Sequence, residues 1–191
     1  MISARGLAKR YGHRRIFAGV DLDLADGGLL LVTGPNGSGK TTLLRMLAGL
    51  SAPTAGELEL PARRSIGYLA HDPLVYRELT PLENLNLFGR LYRIPERGEH
   101  VGMLLERFGL WGVRHERVSS FSRGMQQRLG LCRVLLHAPQ LLLLDEPFNA
   151  LDDDGATLLD ALLREQGRAC VVATHEPERV IHLATARLAF A

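Results

Sequence analysis

A chain of 191 residues, 46% apolar and 23% charged, has the length for one ordinary domain with a real core, and its composition is neither disordered nor fibrous. The net charge of +2 does not require nucleic acid as a partner. No apolar run approaches the roughly 18 residues of a membrane span, and the segment from Met1 to Gly6 lacks an apolar leader, which predicts cytoplasmic placement.

Taken in chain order, Val20, Leu22 and Leu24 alternate with Asp21 and Asp23, the period of a strand with one buried face. Past the turn Asp26-Gly27-Gly28, the all-apolar Leu29 to Val32 predicts a central strand covered on both sides. A glycine-rich segment follows, and then Leu43, Leu44, Leu47 and Leu50 recur at helical spacing. Leu58 and Leu60, then Ile66, Tyr68 and Ala70, read as further short strands. Thr80-Pro81-Leu82-Glu83 combines an N-cap, a Pro at the first helical position and a Glu at the third, which predicts a capping box.

Leu82, Leu85, Phe88 and Leu91, then Val101, Leu104, Leu105 and Phe108, carry the helical period onward toward Ser122. Between Arg90 and Arg133 nine Arg stand against four Glu, which suits solvated helix surfaces or a face turned to an anionic leaflet. Strand and helix alternate again from Gln140: Leu141 to Leu144 as a buried strand, Asp152 to Glu165 as a helix, Ala169 to Ala173 as a strand. Cys132 and Cys170 have no metal or redox spacing and are expected as buried thiols. The order predicts one α/β domain, with residues 1–70 and 139–191 forming a mainly parallel core and residues 71–138 a helical insert.

Gly34-Pro35-Asn36-Gly37-Ser38-Gly39-Lys40-Thr41-Thr42 matches the phosphate loop in its strand-to-helix context. Glycines let the backbone amides and the helix N-terminus face phosphate oxygens. Lys40 is then expected to bridge the terminal phosphates of ATP, and the Thr41 hydroxyl to ligate Mg²⁺. Asp145 and Glu146 end an apolar strand, at the edge where parallel sheets bind ligands. Asp145 is placed to hold Mg²⁺ through water, and Glu146 to polarise the attacking water.

These features alone define a P-loop NTPase; Phe121-Ser122-Arg123-Gly124-Met125-Gln126-Gln127 narrows the class. It resembles the LSGGQ signature of the ABC transporter ATPases, matching at Ser122 and Gly124, with Arg123 in the place of a Gly and Gln126 one position late. The resemblance covers nearly the whole chain in the family's order. It implies a RecA-like P-loop fold with an N-terminal antiparallel β portion, and a head-to-tail homodimer in which Ser122, Arg123, Gly124 and Gln126 close the partner's ATP site.

The same resemblance places Tyr11 against adenine, Asn149-Ala150-Leu151-Asp152 at the dimer interface, and His175 beside the γ-phosphate. His71 stands where the family usually has a Gln that contacts Mg²⁺; a neutral imidazole can still accept a hydrogen bond or ligate the ion. A membrane-spanning permease on the cytoplasmic face of the cell membrane is the implied partner. Leu69-Ala70-His71-Asp72-Pro73 and Leu79-Thr80-Pro81-Leu82-Glu83-Asn84-Leu85 are similar to the ATP-binding subunit of the haem exporter of cytochrome c maturation. Exporters of other cargo share the signature, and soluble ABC ATPases share the site. A P-loop kinase or GTPase gives no reason for the Ser122 segment or His175.

Overall fold

The computed structural model describes residues 1–95, 97–165 and 167–190. The chain opens on two antiparallel strands, β1 (Ile2–Tyr11) and β2 (Arg14–Leu24), joined through Gly12 at φ 56°, a left-handed turn conformation open to glycine. β3 (Leu29–Thr33) leads through the phosphate loop into α1 (Lys40–Leu47), and β4 (Ala55–Glu59) returns to pair with β1. Then come β5 (Ile66–Leu69), α2 (Pro81–Leu91), α3 (Arg97–Arg107), α4 (Arg123–Leu135), β6 (Leu141–Asp145), α5 (Asp153–Leu163), β7 (Ala169–Ala173) and β8 (Ala186–Ala189). Among the described residues the strands form a three-stranded antiparallel sheet, β2-β1-β4, and a five-stranded parallel sheet, β5-β6-β7-β3-β8.

The all-apolar strands have a direct physical reading. Successive side chains of a strand point to opposite faces, and here each face meets its own core. Leu29, Leu31, Leu142, Leu144, Cys170 and Val172 join α4, α5 and the helices of the middle third. Leu30, Val32, Leu141, Leu143, Ala169 and Val171 join α1 and the antiparallel sheet. Both cysteines are free and buried, and burial pushes the Cys170 thiol up to about 11.

The capping box forms as expected. Thr80 Oγ1 accepts from Glu83 N at 3.2 Å and Glu83 Oε2 accepts from Thr80 N at 2.8 Å. Behind it, fully buried Asn84 uses its whole amide: Oδ1 accepts from Tyr76 N, and Nδ2 donates to Tyr76 O and Thr80 O. That pairing fastens the loop ahead of α2 to the helix and satisfies every polar atom it buries.

Four expectations are corrected. Leu50 lies beyond α1, which ends at Leu47 ahead of Gly49 at φ 68°, and Leu50 is exposed. Leu91, on the expected apolar stripe, is 66% exposed. The helical period does not run on from Phe108 to Ser122; short 3₁₀ turns, Trp111–Val113 and Val118–Ser120, fill that interval. The last helix is shorter than expected, because Asp152 caps α5 from outside, accepting from Gly155 N at 2.9 Å, and α5 closes at Leu163.

His137, just past α4, stacks on Tyr92 at 4.5 Å, and its Nε2 meets Ile66 O at 3.1 Å. A carbonyl only accepts, so Nε2 carries the proton, and Nδ1 is buried with no partner. Burial pushes the imidazole pKa down, against the pull of the Ile66 carbonyl. A depressed folded pKa gives stability that is present above the unfolded value of about 6.5 and is lost as pH falls through the folded value. Thermal melts are therefore expected to weaken as pH falls below about 6.5, and His137→Leu to flatten that acid limb; an unchanged slope in the variant refutes the assignment.

Candidate functional site

Four parallel strands end on one edge and deliver the site. From β3 the chain enters the loop of Gly34 to Gly39; β6 ends at Asp145, β7 leads into Thr174 and His175, and β5 leads to His71. These segments line a cleft of about 710 Å³. The structure thus gathers Gly34, Pro35, Asn36, Gly37, Gly39, Lys40, Thr41, Thr42, His71, Asp145, Glu146 and His175 around one space.

Two glycines are forced by geometry. Gly34 sits at φ 142°, and an added Cβ would lie 2.8 Å from Phe190 O; Gly39, at φ 114°, would meet Ile16 and Phe17 at 3.0 Å. Such φ values and clearances exclude ordinary side chains. Lys40 is 6% exposed, and its Nζ donates to Gly34 O at 2.7 Å and Pro35 O at 3.2 Å, with Glu146 Oε1 at 3.9 Å.

Glu146 holds φ 50°, an uncommon conformation for a residue with a Cβ. Its N–H continues the ladder to Ala173 O at 2.8 Å, and Asn149 N donates back to its carbonyl at 3.1 Å. The Oε2 oxygen accepts from His175 N at 3.2 Å and from His175 Nδ1 at 2.7 Å. A carboxylate only accepts, so Nδ1 carries a proton, while Nε2 lies 3.7 Å from Glu176 Oε1. Strain of this kind concentrates where function fixes a side chain.

Asp145 is 1% exposed, and both carboxylate oxygens lack a hydrogen-bond partner. Burial pushes its pKa above the usual carboxylate range; the Thr41 hydroxyl opposes the rise, Glu146 adds to it, and His71 and Lys40 pull it back. Two buried oxygens with only the Thr41 hydroxyl drawn toward them, and no hydrogen bond of normal geometry, are an under-satisfied acceptor site.

Other expected residues stand apart from this cleft. Tyr11 is 52% exposed and lies under the Lys9 ammonium at 4.9 Å, while Arg14 and Ile16 form the corresponding wall of the cleft. Ser38 faces a neighbouring groove beside Phe17 and Phe190. Ser122 caps α4, accepting from Met125 N at 3.2 Å. Arg123 and Gln126 line a second cleft of about 520 Å³ that shares His71 and Asn149 with the first. A Cβ on Gly124 would lie 2.7 Å from Ala150 O, so the first turn of α4 presses on the Asn149–Asp152 loop, and Arg128 reaches Asp152 at 3.6 Å. Sequence reasoning missed Arg14 and Ile16; the alternation in β2, which leaves Ile16 half-buried beside buried Phe17, was the available signal.

Comparison with known proteins fits this geometry. Residues 17–149 match the family model described as "ABC transporter". An uncharacterised ABC transporter ATP-binding protein of Bacillus subtilis, YxlF, is 40% identical over 92% of the chain, which spans 62% of that relative's length. The cytochrome c biogenesis ATP-binding export protein CcmA of Cupriavidus necator is 39% identical over 92% of the chain and 83% of its own length. A solved dimeric ATP-binding cassette in a post-hydrolysis state, bound to ADP and Pi, superposes with a TM-score of 0.86 at 27% identity over 100% of this chain and 94% of its own. Phosphate loop, buried acids and parallel sheet, together with a family match over more than half its length, establish that the chain belongs to the ABC transporter family as an ATP-binding ATPase subunit.

Proposed function

We propose that the chain hydrolyses ATP as the motor of a membrane transporter, working as a head-to-tail homodimer that closes on two nucleotides. The observation that carries this reading is the convergence of Lys40, Asp145, Glu146 and His175, from three strand ends, on one cleft. The loop amides and Lys40 hold the triphosphate. Glu146 Oε2 is anchored by His175, which leaves Oε1 to accept a proton from the attacking water. His175 stands on the γ-phosphate side in this reading.

The donor set fits Mg²⁺. Asp145 offers two buried oxygens without partners, with the Thr41 hydroxyl and His71 on the same cleft. Asp145, the Thr41 hydroxyl and His71 would hold the ion, a hard oxygen-rich set of the kind Mg²⁺ takes beside phosphates. Bound there, the ion neutralises charge developing on the phosphates. In the dimer Ser122, Arg123, Gly124 and Gln126 of one copy face the γ-phosphate of the other; the Ser122 hydroxyl, accepting from Met125 N, keeps its own proton to donate. Tyr11 pairs across the strands with Arg14 of the cleft wall, which in this reading puts it at the outer rim of the adenine site, and Asp152 lies at the interface with its loop. No helix among the described residues is long and apolar enough to cross a membrane, which accords with a peripheral subunit held at the cytoplasmic face by a membrane-spanning permease.

For the cargo, we propose haem export in cytochrome c biogenesis. The support is the identity to CcmA over most of its length and the His71 and Thr80 segments. Export of other cargo is the second reading, for which the support is 32% identity over 96% of the chain to the lantibiotic transport ATP-binding protein SrtF of Streptococcus pyogenes. Deleting the chain from its host is expected to abolish covalent haem on c-type cytochromes in haem-stained gels, and the tagged chain to co-purify with a multispanning membrane protein. Normal c-type cytochromes together with such a membrane partner would select the second reading; no membrane partner would defeat both.

A further inference from the structure

Arg133 lies in the last turns of α4 and is 7% exposed, and among the described residues no carboxylate pairs with it. Burying a cation is unfavourable unless hydrogen bonds replace its water, and here two backbone carbonyls do so. Nη2 donates to Tyr68 O at 3.1 Å and Nε donates to Pro73 O at 3.3 Å. Those carbonyls bracket the stretch Leu69 to Asp72, which carries His71 from the end of β5 into the cleft. On its other side the guanidinium lies over the Phe88 ring of α2, 5.3 Å from the centroid.

An independent contact one turn earlier points the same way. A Cβ on Gly130 would lie 2.6 Å from Pro73 Cβ and 3.0 Å from a Leu69 methyl. The backbone of α4 is thus pressed against both ends of the same loop that Arg133 grips. A planar guanidinium reaches two divergent acceptors at once, whereas an ammonium is a point donor and holds one well.

We infer that Arg133 is a positioning residue for ATP hydrolysis: it fixes the His71 loop at a set offset from α4, so that His71 follows α4 and α2 rather than the sheet from which it emerges. This rests on the reading that His71 serves the nucleotide site. The assignment touches no reacting atom, and its effect is on rate through geometry, since a displacement of about 1 Å at such a site lowers turnover by up to about 100-fold.

The test uses the full chain with Arg133→Lys, Arg133→Gln and His71→Ala, and the pair Arg133→Lys with His71→Ala. In Arg133→Lys, kcat is expected to fall about tenfold with ATP affinity within about twofold of native, and amide exchange to quicken at residues 69–72 alone. The double variant is expected to be no slower than His71→Ala, because both changes act through one loop. Losses that multiply in the double variant, unchanged kcat, or quickened exchange throughout the sheet and α4 overturn the inference, as does failure of both Arg133 variants to fold. Native turnover in His71→Ala would instead defeat the reading that His71 serves the nucleotide site, and the exchange pattern at residues 69–72 would still decide whether Arg133 holds the loop.

Discussion

Glu146→Gln is expected to lower ATP turnover by about 10²- to 10⁴-fold, the contribution of a positioned general base, while ATP still binds. Gln keeps the length and an oxygen acceptor for His175 N and Nδ1, so the contacts at 3.2 and 2.7 Å have a replacement and the strained backbone at φ 50° is unchanged. What is lost is the basic oxygen and the charge 3.9 Å from Lys40 Nζ. With hydrolysis stalled, the ATP-bridged dimer accumulates, and light scattering with ATP and Mg²⁺ reports twice the monomer mass. Turnover within about threefold of native would remove Glu146 from the chemistry; a stalled enzyme that stays monomeric with ATP at all concentrations would remove the partner's Ser122 helix from the site.

Asp145→Asn is expected to stabilise the nucleotide-free protein and to abolish Mg²⁺-dependent hydrolysis. At neutral pH the native fold holds a carboxylate at 1% exposure with neither oxygen hydrogen-bonded, and burial pushes its pKa up. The sign follows from that direction: protonated Asp145 is the form the fold prefers, so its contribution is full below the unfolded pKa and is lost as pH rises through the raised folded value. A neutral amide removes the charge penalty and leaves the smaller one of unpaired amide groups. An unsatisfied buried polar group costs about 1 to 3 kcal/mol, more when charged, and each kcal/mol moves the melt by about 2 to 4 °C at this size. The metal-free melt of the variant should therefore rise by a few degrees, and added Mg²⁺ with ATP should raise it less than it raises the native melt. A lower metal-free melt, or an undiminished Mg²⁺ effect, contradicts the assignment.

The parts of the fold that could be read from sequence were those whose pattern reports a local cause. Leu29 to Val32 and Leu141 to Leu144 are apolar throughout because both faces are covered, and the strands emerged where expected. The Thr80 box formed because both halves of it lie within one turn. Leu50 and Leu91 misled because helical spacing says nothing about where a helix ends or whether a partner covers its last turn. The cleft itself was legible, since the phosphate loop and the Asp145-Glu146 pair are tied to strand ends. Arg14, Ile16 and the grip of Arg133 on Tyr68 and Pro73 were not, because each depends on which strand or helix lies alongside, a long-range fact that spacing does not encode.

The ladder bond from Glu146 N to Ala173 O extends the pairing of β6 with β7 one step beyond Asp145. Glu146 and His175 are thereby set against each other by sheet register, while α4 reaches the same strand end one residue later, where Gln127 Nε2 donates to Pro147 O at 3.3 Å. A slip of that register would therefore carry both members of the pair off station together.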